Sequence, residues 1–199
     1  MLPILLTVVG YLFGSIPVGV LVGRARGFDP RAVGSGNVGM TNVARAGGRF
    51  AAAMTFSGDL LKGLVPVLIA RGAGLAPAAI ACVGFAAVVG SVASIFMGFS
   101  GGRGVSTSFG VWLGLAPIAA GIALAVFIVI VAIGRIVSLG SISAAIALVP
   151  AVAATGSPRP YILLAIAVSA VVLTRHHENI RRLLAGEEPK IGARKKASD

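Results

Sequence analysis

The residues able to do chemistry fall in three short polar stretches of an otherwise apolar chain. The first is Gly34-Ser35-Gly36-Asn37-Val38-Gly39-Met40-Thr41-Asn42, followed by Arg45. Its glycines let the backbone turn tightly and approach a ligand, and consecutive free N–H groups in such a turn form a concave nest for an anion. Ser35, Asn37, Thr41 and Asn42 add neutral hydrogen-bonding groups, and Arg45 adds a fixed positive charge. The second stretch is Ser100-Gly101-Gly102-Arg103-Gly104-Val105-Ser106-Thr107; the third is Arg175-His176-His177-Glu178-Asn179-Ile180-Arg181-Arg182. If the last helix continues through the third stretch, His176 and Asn179 share a face. Together these stretches could surround a phosphate with backbone N–H groups, hydroxyls and guanidinium forks.

The residue inventory narrows the mechanism. The sequence carries no thiol near the histidines of the third stretch, no P-loop and no acidic cluster suited to a metal. Neither a metal nor a cofactor is expected. Direct attack of a bound alcohol on an activated acyl donor fits this inventory better than an acyl–enzyme route, with cations stabilising the developing charge. The apolar stretches beside the polar ones suit a lipid chain.

Those apolar stretches must position the three polar ones. The chain has 199 residues, 57% apolar and 12% charged. Uncharged runs cover 1–23, 72–102, 104–134 and 136–158, each longer than the roughly 18 residues that suggest a membrane span. The expected class is an all-α polytopic membrane protein in one domain. The first run lacks a basic leading segment and an evident cleavage site, so it reads as a retained helix. The lone Cys82 excludes an internal disulfide and reads as a small packing residue. The net charge of +11 is assigned to cytoplasmic loops and anionic headgroups, not to nucleic acid, because no aromatic–basic interleaving accompanies it.

Expected spans are 2–22, 51–70, 77–97, 105–116, 118–134, 138–155 and 159–174. In the first, Gly10, Gly14, Gly19 and Gly23 offer close helix contact, and Pro17 a kink. The run 104–134 would measure about 46 Å as one helix, too long for a ~30 Å core, and Gly114 and Pro117 offer a break. Charge gives the same division. The basic 24–49 loop and the basic C-terminal tail both belong on the cytoplasmic side, which requires an even number of crossings between them. Seven spans follow, with the N-terminus outside, 183–199 as a cytoplasmic tail, and residues through Lys195 and Lys196 expected to lack order. Asp59 and Lys62 lie three apart within the second span. They read either as a structural ion pair or as a site in which Lys62 lends its charge.

The sequence resembles the bacterial integral-membrane acyl-phosphate:glycerol-3-phosphate acyltransferases along essentially its whole length. The resemblance is carried by Gly14-Ser15-Ile16-Pro17, the Gly34–Asn42 stretch with Arg45, Asp59-x-x-Lys62-Gly63, Gly101-Gly102-Arg103-Gly104-Val105, Arg135-x-x-Ser138-x-x-Ser141 and Arg175-His176-x-Glu178-Asn179-Ile180. It implies acyl transfer from acyl phosphate to glycerol 3-phosphate in phospholipid synthesis, giving 1-acyl-glycerol 3-phosphate and phosphate. It also implies a seven-span fold in the bacterial plasma membrane with the site on the cytoplasmic side, and the enzyme that makes acyl phosphate as a partner. By position it puts Ser35, Asn37 and Arg45 at the bound substrates, Arg103 on a phosphate, and His176 and Asn179 near the reacting groups. Gly34, Gly36, Thr41, Asn42, Lys62, Gly101, Gly102, Gly104, Ser138 and Ser141 complete the implied substrate-binding set. Substrate-assisted proton transfer to a phosphate oxygen is the mechanism it suggests.

The middle motif departs from the pattern. Where relatives read Gly-His-x-Phe-Pro and then Lys-Gly-Gly-Lys-Gly, this chain has Gly90-Ser91-Val92-Ala93-Ser94 and Ser100-Gly101-Gly102-Arg103-Gly104. A divergent relative with a changed substrate or lost activity is one alternative. A transporter or flippase of phosphorylated small molecules or lipids is another.

Overall fold

The computed structural model describes residues 1–192; the expectation for Lys195 and Lys196 lies outside them. Nine α-helices follow one another: α1 Leu2–Ser15, α2 Val18–Ala25, α3 Met40–Gly72, α4 Pro77–Val92, α5 Val105–Leu115, α6 Pro117–Gly134, α7 Val137–Ala154, α8 Arg159–Arg175 and α9 His177–Leu184. Four of these units are long and apolar enough to cross a membrane: the α1–α2 stretch, α3, α6 and α7. The α8–α9 pair, bent by 61°, is a fifth if taken as one unit, and α4 and α5 are shorter apolar helices.

Prolines set most of the boundaries. Pro17 lacks an N–H and clashes with the preceding turn, so α1 stops and α2 restarts after it. Pro77, Pro117 and Pro160 stand at helix starts, where a missing N–H costs nothing. The long run 104–134 divides at Ala116, which the following proline holds out of the helical region (φ −145°, ψ 75°).

Three boundaries differ from the sequence reading. The second long helix begins at Met40, not 51, and runs through a kink at Gly48 (φ 77°) that only glycine accepts without strain. Arg45 therefore stands on a helix and not in a loop. The third helix ends at Val92, and 95–97 form a separate 3-10 turn. The first span is two helices and not one kinked helix.

Small residues bring the helices together. α1 packs along α4, α3 along α5, α6 along α7, and α8 against α7 and α4. At the α1–α4 crossing Gly14 lies on the Ala87 backbone and Gly90 on the Tyr11 and Gly14 backbone, so a side chain at either glycine would force the helices apart. The main core joins Val83, Val111, Trp112, Leu164 and Val168 with their neighbours from α3 to α8. Cys82, expected in packing, is exposed on α4.

Candidate active site

The three polar stretches line one cavity of about 1180 Å³ whose walls continue into apolar residues of α5 to α8. Each stretch is held by a polar side chain that serves as scaffold. Asn42, 2% exposed on the first turn of α3, holds the first. Its Nδ2 donates to the carbonyls of Pro30 (2.7 Å) and Val33 (2.9 Å), and its Oδ1 accepts from the Ser35 N–H at 3.0 Å. Both amide donors are thereby committed to the loop, so Asn42 shapes the site and has no N–H left for a ligand. Gly34 (φ 62°) packs directly on Asn42. Asn37 accepts from the Gly39 N–H at 2.8 Å, starting the helix. At the loop's entry, the Arg31 fork on Asp29 holds that carboxyl near a pKa of about 2.

Arg175 holds the second stretch. Its Nε donates to the Gly102 carbonyl (3.2 Å) and its Nη2 to the Gly101 carbonyl (2.9 Å). Ser94 ties the same loop to α1 by donating to the Ser15 carbonyl at 2.5 Å. The Gly102 N–H bonds to Ser91 at 3.0 Å. Gly104 caps α5 in the left-handed region (φ 76°) and turns the chain into the helix. Arg103, half-buried between these glycines, has no hydrogen bond or ion pair among the described residues. Burial pulls its guanidinium below the ordinary arginine range, and the Glu188 carboxylate opposes that shift.

Glu188 organises the third stretch. Its carboxylate accepts from Asn179 Nδ2 (2.5 Å), Ser138 Oγ (2.6 Å) and Arg182 Nε (2.7 Å). Burial would raise this carboxyl, but the three hydrogen bonds outweigh it and hold the pKa below the ordinary value. Beyond Glu188, the Ile191 N–H donates to the Arg135 carbonyl at 2.7 Å and Arg135 Nη2 donates to the Ile191 carbonyl at 2.9 Å. The tail is thereby drawn across the α6–α7 turn and lines the cavity with Glu188 and Lys190.

In the third stretch two hydrogen-bond acceptors have no partner among the described residues. His176, 2% exposed, places Nδ1 at 2.7 Å from the Val172 carbonyl. A carbonyl cannot donate, so Nδ1 carries the proton, and in the neutral ring Nε2 is the acceptor. Burial lowers the His176 pKa and favours that neutral form; the Val172 carbonyl and Glu188 act against it, and Arg103 with it. Asn179 gives its amide N–H to Glu188, while its buried Oδ1 has no partner among the described residues.

Ser35, Asn37, Thr41, Arg45, Arg103, His176 and Asn179 all border the cavity, as do Gly34, Gly102 and Gly104. Gly36 and Gly101 do not line it; Gly101 lies behind the wall against the Ser91 and Val92 backbone. Lys62 reaches the wall but is already paired. Its Nζ lies 2.8 Å from Asp59 Oδ1 and donates to the Ile16 carbonyl at 2.9 Å, beside the α1–α2 break. Ser138 donates to Glu188, and Ser141 to Val137 of its own helix at 3.1 Å. Both serines line the cavity with their hydroxyl protons already placed.

Sequence reasoning missed Glu188, Arg182 as its partner, Ser94 and Trp112. The Glu187-Glu188 pair in a basic tail was the available signal for Glu188. Among the described residues no three His, Cys, Asp or Glu side chains gather at one point as a metal site would require.

Comparison with known proteins extends this geometry. A family model described as glycerol-3-phosphate acyltransferase matches residues 4–186. A glycerol-3-phosphate acyltransferase of Geobacter sulfurreducens is 50% identical over 191 residues, covering 96% of this chain and 98% of that protein. One of Rubrobacter xylanophilus is 46% identical over 194 residues, covering 98% of both. Crystal structures of PlsY (YgiH), an integral membrane glycerol 3-phosphate acyltransferase, superpose with a TM-score of 0.93 in the glycerol 3-phosphate form at 39% identity. The lysophosphatidic acid form gives 0.91 at 38% identity. Each covers 96% of both chains.

Proposed function

The chain belongs to the glycerol-3-phosphate acyltransferase family, and from that premise we propose that it transfers a fatty acyl group from acyl phosphate to glycerol 3-phosphate. The products are 1-acyl-glycerol 3-phosphate (lysophosphatidic acid) and phosphate. The observation that carries this reading is one cavity lined both by two guanidinium groups without partners among the described residues, Arg45 and Arg103, and by apolar residues of α5 to α8. Two anionic groups and one acyl chain are the ligand set that such a cavity complements.

Arg103, with the N–H groups at the start of α5, binds the donor phosphate. Ser35, Asn37, Thr41 and Arg45 bind glycerol 3-phosphate. His176 Nε2 and Asn179 Oδ1 are acceptors for the two hydroxyls of glycerol 3-phosphate and orient the glycerol; as the attacking oxygen reaches the acyl carbon its single proton turns to a phosphate oxygen. The new C–O bond forms as the acyl–phosphate C–O bond breaks, and the hydroxyl proton leaves with the phosphate. No side chain has to hold an acyl group, which agrees with the lack of a thiol near the histidines of the third stretch and with the exposed Ser100 of Gly98-Phe99-Ser100-Gly101-Gly102 standing outside the cavity lining.

The α1–α2 unit, α3, α4, α5, α6, α7 and the α8–α9 unit are read as seven crossings of the bacterial inner membrane. α4 and α5 are the short ones. The N-terminus lies outside, and the site faces the cytoplasm, where the arginines of 24–49 and 175–182 meet anionic headgroups.

The test is turnover by the purified protein with acyl phosphate and glycerol 3-phosphate. Stoichiometric phosphate and lysophosphatidic acid are expected, with inorganic phosphate inhibiting as product and no turnover from acyl-CoA. Efficient use of acyl-CoA would overturn the donor assignment. Passage of glycerol 3-phosphate into vesicles without acylation would favour a transporter.

A further inference from the structure

Two buried donors in the apolar part of the cavity remain unexplained. Ser108 Oγ and Trp112 Nε1 have no hydrogen-bond partner among the described residues, and their side chains are only 6% and 2% exposed. Both line the cavity. They stand four residues apart, hence on one face of α5, while the neighbouring face carrying Gly110 and Gly114 is turned to α3. A buried donor without a partner is unfavourable, and such groups in folded proteins point to something that satisfies them.

No described group of the walls lies within hydrogen-bond reach of either donor. The same cavity is lined by Val168 and Val172 of α8, Ala145 and Leu148 of α7, and Ala120 of α6. The indole N–H can only donate, so the occupant must bring an acceptor, and a hydrocarbon chain has none.

The position identifies which acceptor. α5 begins at the Arg103–Gly104 turn and runs away from it. Side chains on a helix lean back towards its N-terminus. Ser108 lies about 6 Å of helix below Gly104, and the Trp112 ring leans up towards it. Both donors are thus directed at the segment just beneath a phosphate held at the turn. In an acyl phosphate that segment holds the bridging oxygen and the acyl carbonyl oxygen, and of the two the carbonyl oxygen is the stronger acceptor and the one that gains charge.

We propose that Ser108 and Trp112 bind the acyl carbonyl oxygen of the donor and stabilise the negative charge it acquires as the glycerol hydroxyl adds to its carbon. This rests on the acyl-phosphate reading above. The carbonyl π pair moves onto that oxygen as the new C–O bond forms; it returns as the bond to phosphate breaks and phosphate departs with the proton. Donors fixed in an apolar wall need no reorganisation at that moment, which makes them effective there.

The test compares Trp112→Phe, which keeps the ring and removes the N–H, and Ser108→Ala with the full-length wild type. Each is expected to lower kcat about tenfold or more, with KM for glycerol 3-phosphate within about threefold. Two inhibitors of equal chain length separate contact from packing. The Ki of an acyl phosphonate, which has the carbonyl, should rise about tenfold in the variants. The Ki of an alkyl phosphate, which lacks it, should stay within about twofold. Equal shifts for both inhibitors, or a shift for neither, would overturn the proposal. Should Trp112→Phe fail to fold, Ser108→Ala gives the same discrimination. Wild-type turnover with acyl phosphate is the control. Its failure overturns the donor reading by itself, whereas turnover with matched inhibitor shifts overturns only the carbonyl contact.

Discussion

Arg103 and Lys62 are two cations on the wall of one cavity, and they differ in what surrounds them. Lys62, 5% exposed, has Asp59 at 2.8 Å and the Ile16 carbonyl at 2.9 Å. Arg103 follows Gly101 and Gly102, whose carbonyls are already taken by Arg175, and no described residue pairs with it. A buried charge must be compensated within the fold. A charge at a binding site is left for the ligand to compensate. On this contrast we propose that Lys62 belongs to the framework that holds α3 against the α1–α2 break and Arg103 to the ligand, and that Arg45, also without a partner among the described residues, stands with Arg103.

The largest expected effect tests the Arg103 side of this contrast. Arg103→Ala should lower kcat/KM for acyl phosphate by about 100-fold or more, with the protein inserted and folded as before. Arg103→Lys keeps the charge and loses the bidentate fork, so a loss of only about tenfold is expected. Full activity of Arg103→Ala at limiting donor would erase the distinction. Next in size, Ser35→Ala and Arg45→Ala should each cost more than tenfold, about 1.4 kcal/mol of transition-state stabilisation. Steady-state rates at limiting glycerol 3-phosphate check this. Near-normal turnover in both would remove the first stretch from the site.

Lys62 should behave differently. Lys62→Met strands the Asp59 carboxylate and is expected to destabilise the protein by about 3 kcal/mol. The folded fraction should keep kcat within about threefold. Adding Asp59→Asn should recover much of the lost thermal stability, since removing both partners leaves no orphaned charge. A stable Lys62→Met protein with a tenfold lower kcat would instead place Lys62 among the ligand-binding groups.

Part of this contrast was legible in the sequence. Pro117 and the 104–134 length indicated where a helix had to break, because proline acts through its own covalent chemistry. The Asp59–Lys62 spacing put both on one helix face but could not decide between an ion pair and a site. That depended on the Ile16 carbonyl, which only tertiary packing delivers. Asn42 looked like Asn37 in residue type, yet its amide lies buried and clamps the loop. The helical start at Met40 was hidden by Gly47 and Gly48, which read as loop until Gly48 is seen as a kink. Glu188 was illegible because its meaning comes from Ser138, 50 residues away.

The smallest expected effect is on the pH profile, and it sharpens the comparison through charge alone. His176 is useful here as an acceptor, so it works in its neutral form. Burial lowers its pKa beneath the ordinary histidine value of about 6.5, so at pH 6.5 more than half of the rings are neutral. Activity should therefore be largely retained at that pH and fall only below it. Of the charged groups that act on the ring, Arg103 lowers its pKa and Glu188 raises it. Arg103→Lys keeps a positive charge and should leave the acid limb in place, even while kcat falls. Glu188→Gln removes the negative charge while keeping an acceptor for Ser138, and should move the limb to lower pH. Profiles of kcat/KM at saturating acyl phosphate check both directions. A limb that moves upward in Glu188→Gln, or one centred above 6.5 in the wild type, would show that the titrating group is not a buried, neutral His176.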